Sequence, residues 1–130
     1  MIMRDCTTSD EVAGAVREWV AAEVPSAWRE AAERGGPSLV RTVRTRSEYQ
    51  EWYPAFARSG LVVPQWPAEY GGLGWPRPLA QAAERVLARY HLPRLNPLGL
   101  NLTAAALFAH GTHEQRLRFL PYVIQARRSQ

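Results

Sequence analysis

Proline and glycine are concentrated in one short stretch of this 130-residue chain, Val63–Pro78, which reads VPQWPAEYGGLGWPRP. Proline lacks the backbone N–H that helices and central strands need, and glycine weakens both kinds of element. This stretch therefore cannot form a regular helix or a central strand, and we predict a structured loop. Elsewhere the same two residue types separate segments whose apolar residues recur at helical spacing.

Two helices are predicted in the first third of the chain. The first begins near Thr8, because Thr8 and Glu11 have the spacing of a capping box, and it ends before Pro25. A short second helix begins at Ser26 and stops at the next glycine pair. The following residues, Leu39–Arg46, show no clear period, so we predict an irregular connector there.

A third helix is predicted to begin at Ser47, which has Gln50 at capping-box spacing, and to be kinked by Pro54. Its four aromatic residues form a stripe that we expect to face the core: Tyr49, Trp52, Tyr53 and Phe56.

Three more helices are predicted after the loop. The fourth begins near Pro78, the fifth ends at Gly111, and the sixth begins with a capping box formed by Thr112 and Gln115. The apolar face of the fifth comprises Leu98, Leu102, Ala105, Ala106 and Ala109. About six helices without a convincing strand predict an all-α fold, an orthogonal or bundle-like array.

Composition argues against several classes of protein. The net charge of +4 comes from 16 arginines spread over the chain without a dense block, so we do not predict nucleic-acid binding. Cys6 is the only cysteine, which excludes an internal disulfide and fits a reducing compartment. We find neither a secretory signal nor a membrane-spanning stretch, so we predict a soluble, cytoplasmic protein.

No local pattern indicates catalysis or metal binding. His110 and His113 are three residues apart, but Gly111 should separate them, and no Cys or carboxylate completes a metal site. The glycine-rich stretch has no preceding strand and no G-K-[ST] ending, so we do not expect a phosphate cradle. Glu69 is interpreted as a loop anchor and not as a general base, and we assign no catalytic or metal-binding residue.

Two motifs and a turn nevertheless resemble one protein family. Nine residues fit a P-x-W-P-x-E-Y-G-G-x-G loop: Pro64, Trp66, Pro67, Ala68, Glu69, Tyr70, Gly71, Gly72 and Gly74. An N-P-x-G-x-N turn is matched by Asn96, Pro97, Gly99 and Asn101. An H-G-T-x-E-Q-x-x-x-F-L-P segment is matched by His110, Gly111, Thr112, Glu114, Gln115, Arg116, Phe119, Leu120 and Pro121. In this order they resemble the N-terminal all-helical domain of acyl-CoA dehydrogenases, particularly the actinobacterial-type members.

These motifs also have a structural interpretation. We expect Gly71 and Gly72 to supply positive φ angles that let the loop fold back, with Trp66 and Tyr70 filling the space beneath it. Thr112 is expected to cap a helix.

The resemblance implies α,β-dehydrogenation of an acyl-CoA, in which a carboxylate removes the α-proton and FAD accepts hydride from the β-carbon. In the family, a middle β-domain and a C-terminal helical bundle mainly supply these groups. The resemblance ends near Ala126, which predicts an N-terminal domain over residues 1–125 and a divergent tail over 126–130. We therefore expect a fragment, a prematurely terminated product or a subunit half, which is inactive and does not bind FAD alone.

The family's N-terminal domain contributes one wall of the acyl pocket. This implies that Leu98 and Leu102 bind substrate, although leucines at this spacing also suit an ordinary helix core. Three hypotheses remain: the helical domain of an FAD-dependent acyl-CoA dehydrogenase, a noncatalytic module that pairs with a dehydrogenase subunit, or a nonfunctional remnant. The expected partners are acyl-CoA and further dehydrogenase subunits in a homo- or hetero-oligomer.

Overall fold

The computed structural model describes the backbone of residues 5–95 and 97–125, and the side chains of residues 5–95, 102–121 and 124. Six α-helices follow one another along the chain: α1 (Ser9–Glu23), α2 (Ser26–Val43), α3 (Arg46–Ser59), α4 (Arg77–Ala88), α5 (Pro97–His110) and α6 (His113–Gln125). The described residues contain no strand, which confirms the all-α prediction. Helix α1 packs on α4, and α5 packs on α6, which also contacts α3.

Helix α1 begins with the predicted capping box. The Glu11 N–H donates to Thr8 Oγ1 over 3.1 Å, and the Thr8 N–H donates to Glu11 Oε1 over 3.1 Å. Three valines on one side of the helix, Val12, Val16 and Val20, are buried. The cap fixes where the helix begins, and the valines fix which side faces α4 and the core.

Helix α2 is longer than predicted. Gly36 has φ 66° and ψ −151°, so the first helical segment does end at the glycine pair, but a second segment then runs to Val43. The prediction of an irregular Leu39–Arg46 connector is therefore wrong for most of its length. Pro37 begins the second segment, where its fixed φ favours a first helical turn. This segment buries Val40 and leaves Leu39 and Val43 partly exposed. Because the segment is short, its apolar residues do not show a clear helical period in the sequence.

The capping residue of helix α3 lies two residues before the predicted one. That residue is Thr45: the Glu48 N–H donates to Thr45 Oγ1 over 3.1 Å, and Glu48 Oε1 accepts from the Thr45 N–H over 3.0 Å. Because a carboxylate is a stronger acceptor than an amide, Glu48 is a better partner than Gln50. Pro54 lies within α3, which continues to Ser59 before Gly60 ends it with φ 85°.

The aromatic stripe of α3 forms the centre of the core, as predicted. Tyr49, Tyr53 and Phe56 are buried, while Trp52 is half-buried and donates its indole N–H to Glu23 O over 2.8 Å. The ring centroid of Trp19 in α1 lies 5.8 Å from that of Phe56. These ring contacts connect α3 to the first helix.

None of the helices in the described part of the chain has the length and apolar character of a membrane span.

Acidification should weaken both N-terminal capping boxes. Hydrogen bonds from Thr7 and Thr8 hold the pKa of Glu11 below its ordinary 4.5, and those from Thr45 do the same for Glu48. Because the folded-state pKa values are depressed, the carboxylates stabilise the fold above pH 4.5, and this stabilisation is lost as the pH falls through the lowered values. We expect the free energy of unfolding in urea to decrease over this range.

The control for this pH dependence is a set of glutamine substitutions. The double variant Glu11→Gln/Glu48→Gln should lose part of the dependence, whereas Glu33→Gln should retain it, because the Glu33 side chain is exposed and makes no hydrogen bond to any described residue. Identical pH profiles for the double variant and the native chain would contradict the assignment.

Candidate functional site

The connector that leads into α5 is held by two tyrosines of the core. The Tyr49 hydroxyl donates to Pro93 O over 2.5 Å, and the Leu95 N–H donates to the Tyr53 hydroxyl over 3.1 Å. Burial raises the pKa of both tyrosines, so both hydroxyls keep their protons at neutral pH. The approach to α5 is therefore fixed by the aromatic core.

Arg94 adds a third attachment to this connector. Its Nε donates to Val62 O over 2.6 Å, and its Nη2 lies 3.1 Å from a carboxylate oxygen of Glu84. Both members of this ion pair are partly exposed, so the pair helps to position the connector but contributes little to the stability of the fold. Arg94 and Glu84 line a cavity of about 350 Å³ together with Trp66 and Phe108.

The glycine-rich loop folds back on itself around a 3-10 turn at Ala68–Tyr70. Gly71 has φ 100°, which confirms the prediction for this residue. The prediction is wrong for Gly72, which is not among the residues with positive φ. Position 72 needs a glycine for another reason, because a Cβ there would lie 2.2 Å from Trp66 O and 2.5 Å from Val63 O. The second positive φ of the GGLG stretch, 65°, belongs to Gly74.

This loop docks on α6 through Tyr70. The Tyr70 hydroxyl is hydrogen-bonded to His113 Nδ1 over 2.6 Å, and the Tyr70 ring is buried with Ala104 of α5 and Leu120 of α6. The loop motif and the His-Gly-Thr motif are thus in direct contact. The side chain of Glu69 is exposed and makes no hydrogen bond to a described residue, so its role as a loop anchor stays a prediction.

The junction between α5 and α6 follows the sequence closely. The Gln115 N–H donates to Thr112 Oγ1 over 3.1 Å, and Gln115 Oε1 accepts from the Thr112 N–H over 2.9 Å, so the predicted capping box is present. Arg116 then reaches back to the last turn of α5, where its guanidinium donates to Leu107 O over 3.0 Å and to Phe108 O over 2.8 Å. These contacts hold the two helices as one unit.

Helices α5 and α6 expose large apolar side chains. Residues 97–110 contain no Asp, Glu, Lys or Arg, and Leu102 is 65% exposed. On α6, Leu117 and Phe119 are each 45% exposed. We call Leu102, Leu117 and Phe119 the α5–α6 outer surface. Exposed groups of this size and number on a rigid helix pair are typical of surfaces that contact another domain, subunit or ligand.

Of the two residues predicted to bind substrate, Leu102 has a described side chain and Leu98 does not. Leu102 belongs to the outer surface and does not line the cavity beside Arg94. The side chain of Leu98 and residue Asn96 lie outside the described residues. Ala105, Ala106 and Ala109 of the predicted apolar face are exposed, as Leu102 is. Among the described side chains of α5, the buried residue is instead Ala104. Leu102 is therefore not part of the core of this chain.

Removing the hydroxyl of Tyr70 should loosen the contact between the loop and α6. We expect Tyr70→Phe to lower the free energy of unfolding by about 0.5–1.5 kcal/mol, the usual net value of one hydrogen bond. The matched control is Tyr90→Phe, since Tyr90 is half-buried and donates its backbone N–H to Leu87 O, but its hydroxyl makes no hydrogen bond to a described residue. Urea denaturation measures both effects, and equal losses would show that the bond to His113 does not stabilise the loop.

The described residues offer no group of three or more His, Cys, Asp or Glu side chains that could hold a metal ion. Phosphate cradles present free backbone N–H groups. In the glycine-rich loop, the N–H groups of Gly71, Gly72 and Gly74 donate to carbonyl oxygens of the same loop, so these three groups do not form such a cradle.

Comparison with known proteins identifies relatives of this chain. The profile of the family described as acyl-CoA dehydrogenase, N-terminal domain, matches residues 7–127. Acyl-CoA dehydrogenase IpdE1 of Mycolicibacterium smegmatis is 32% identical over 110 residues, which cover 84% of this chain and 28% of the relative. IpdE1 of Mycobacterium tuberculosis is 31% identical over 115 residues, which cover 88% of this chain and 29% of the relative. No solved structure matches the chain significantly.

Proposed function

Because this chain belongs to the family of acyl-CoA dehydrogenase N-terminal domains, we propose that it is the helical N-terminal part of an FAD-dependent acyl-CoA dehydrogenase. The chain spans less than a third of the length of the two IpdE1 relatives. In this proposal it forms one wall of the acyl-CoA pocket, and acyl-CoA is oxidised to 2-enoyl-CoA only when a middle domain and a C-terminal domain are present. Those domains, and not this chain, hold FAD and the catalytic base.

The single observation that carries this proposal is the exposure of Leu102. A helix without charged residues is usually buried on all sides, yet α5 leaves this leucine 65% exposed. Burying a leucine is worth about 1.5–3 kcal/mol, so a covering partner gains free energy from Leu102, Leu117 and Phe119 together. The domain supplies this surface already ordered, because Tyr49 and Tyr53 fix the connector to α5.

Leu98 and Leu102 remain our candidates for contact with the acyl chain. Both are on the helix that follows the fixed connector, and Leu102 is available for a partner or a ligand because it is exposed. The second candidate function, a noncatalytic module that pairs with a dehydrogenase subunit, is favoured by the same exposed surface. The two functions differ in one respect, because a catalytic assembly turns over acyl-CoA and a noncatalytic one does not.

Assembly is tested by placing a charge on the α5–α6 outer surface. The native chain, Leu102→Glu and Phe119→Glu are each co-expressed with the middle and C-terminal domains of an acyl-CoA dehydrogenase from the same genome. The control is Val43→Glu, because Val43 is also a partly exposed apolar residue, at 39%, but lies on α2.

We expect the native chain and Val43→Glu to co-purify with the other domains, and the two surface variants to be recovered at least about tenfold less, since a buried unpaired charge costs several kcal/mol. Circular dichroism should show the same helix content for all four chains, because all the changed positions are exposed. Equal recovery of the four chains would overturn the proposal.

A further inference from the structure

A second cavity lies between the end of α2 and the turn after α4. It measures about 360 Å³ and shares no lining residue with the cavity beside Arg94. Its walls are largely apolar, with Pro37 and Val40 from α2 and Leu92 and Pro93 from the turn. Arg41, in the last turn of α2, and Arg44, directly after α2, also line the cavity, together with His91. An apolar cavity with convergent polar groups is the usual form of a small-molecule site.

Arg44 is held in one orientation at this cavity. Its Nη2 donates to His91 O over 2.9 Å, and its guanidinium carbon lies 4.4 Å from the centre of the Tyr49 ring and 5.1 Å from that of Trp28. These contacts come from three separate parts of the chain. A guanidinium that is already ordered loses little entropy when it binds an anion.

No carboxylate pairs with the charge of Arg44 within the described part of the chain. Its Nη1 is buried and has no hydrogen-bond partner there. The ion pair found among the described residues joins Arg94 to Glu84, so neither Arg41 nor Arg44 has a carboxylate partner among them. Burial also lowers the pKa of Arg44. A buried donor without an acceptor is costly, so Arg44 is held in a position that its contacts within the described residues do not fully satisfy.

The backbone of His91 also indicates that Arg44 is held in a specific position at the cavity. His91 is the one non-glycine residue of the described ranges with positive φ, 53°, and its carbonyl oxygen is the group that orients Arg44. The dipole of α2 accounts for Arg41, since a cation is favoured in the last helical turn. It does not account for the stacked, partly buried position of Arg44.

From this geometry we propose that the cavity binds a small carboxylate with an apolar body. A carboxylate can pair with the charges of Arg41 and Arg44 and accept hydrogen bonds from guanidinium N–H groups that line the cavity. The walls formed by Pro37, Val40 and Leu92 suit a hydrocarbon chain better than a strongly hydrated inorganic anion. The site does not depend on the proposed dehydrogenase function, because its residues are apart from the α5–α6 outer surface.

The probe for this site is hexanoate, and its neutral counterpart is hexanamide. Both are titrated into the isotopically labelled 130-residue chain, and the backbone amide resonances of His91 and Leu92 report binding. We expect saturable shifts with hexanoate, at least about tenfold weaker binding in Arg44→Gln and in Arg41→Gln, and unchanged binding in Arg34→Gln. Arg41 is exposed, so its variant remains informative if Arg44→Gln does not fold. Arg34 is exposed on the same helix and does not line the cavity.

Three results would overturn the proposal. Hexanamide could bind as tightly as hexanoate, which would show that charge is not recognised. Arg34→Gln could weaken binding as much as the two cavity variants, which would indicate general attraction by a basic surface. Inorganic phosphate could shift the same resonances while hexanoate does not, which would exclude an apolar body.

Discussion

Replacing Gly72 with alanine should destabilise this domain by about 2–4 kcal/mol, because the added Cβ would collide with the backbone of its own loop. The Cβ would lie 2.2 Å from Trp66 O and 2.5 Å from Val63 O, and neither atom is the end of a flexible side chain. The Gly74 N–H donates to Trp66 O over 2.8 Å, so a displaced carbonyl would also break that hydrogen bond. The measurement is urea denaturation followed by circular dichroism.

Two other glycines provide the controls for Gly72→Ala. A Cβ at Gly14, within α1, meets nothing within 4 Å, so Gly14→Ala should stabilise the chain by about 0.5–1 kcal/mol. Gly74 has the same free space but φ 65°, so Gly74→Ala should cost about 1 kcal/mol from backbone strain alone. If the three variants changed stability equally, the close approach at Gly72 would not be the cause.

Truncation of Phe56 should be the most damaging change in the core. The ring is 2% exposed, and its centroid lies within 6 Å of those of Trp19, Trp52 and Tyr53. We expect Phe56→Ala to lower the free energy of unfolding by about 3–5 kcal/mol, through lost burial and the cavity that remains. Because Phe56 neighbours Tyr53, which holds Leu95, the connector into α5 should also loosen.

The matched control for Phe56 is the exposed phenylalanine of α6. Phe119 is 45% exposed, so Phe119→Ala should change the stability of the isolated chain by less than about 1 kcal/mol. Thermal and urea denaturation of the two variants give the comparison. Similar losses for the two substitutions would mean that the core and the outer surface have been wrongly distinguished.

Local rules predicted the helix ends well and failed where two local signals competed. The boxes at Thr8 and Thr112 follow from spacing alone. Near α3, Thr45 and Ser47 both have the correct partner three residues later, and the structure uses Thr45. Spacing cannot separate them, because the choice depends on the partner's strength as an acceptor and on how the aromatic stripe fits the core.

The errors in the candidate site have a different origin, because they depend on contacts between distant residues. Gly72 is constrained by carbonyl groups six and nine positions earlier, which no turn rule anticipates. Helix α5 is apolar on every side, so its sequence could not show that Ala104 is buried and Leu102 exposed. In the sequence, nothing distinguishes Arg44 from the other arginines, because its contacts with Trp28, Tyr49 and His91 form only in the folded chain.

Some of the sequence predictions remain predictions. The division into a domain over residues 1–125 and a tail over 126–130 is one, since residues 126–130 lie outside the described part of the chain. The contact of Leu98 and Leu102 with an acyl chain is another. The family assignment does not depend on either, because the family profile covers residues 7–127.

The visible flavin spectrum of the assembled domains tests whether this chain is part of an acyl-CoA dehydrogenase. This chain is co-purified with the middle and C-terminal domains of an acyl-CoA dehydrogenase from the same genome, and the spectrum is recorded before and after acyl-CoA is added. We expect a yellow complex that contains this chain, is bleached by acyl-CoA, and loses that response when this chain is omitted. A colourless complex, or other domains that are bleached equally well without this chain, would contradict this expectation.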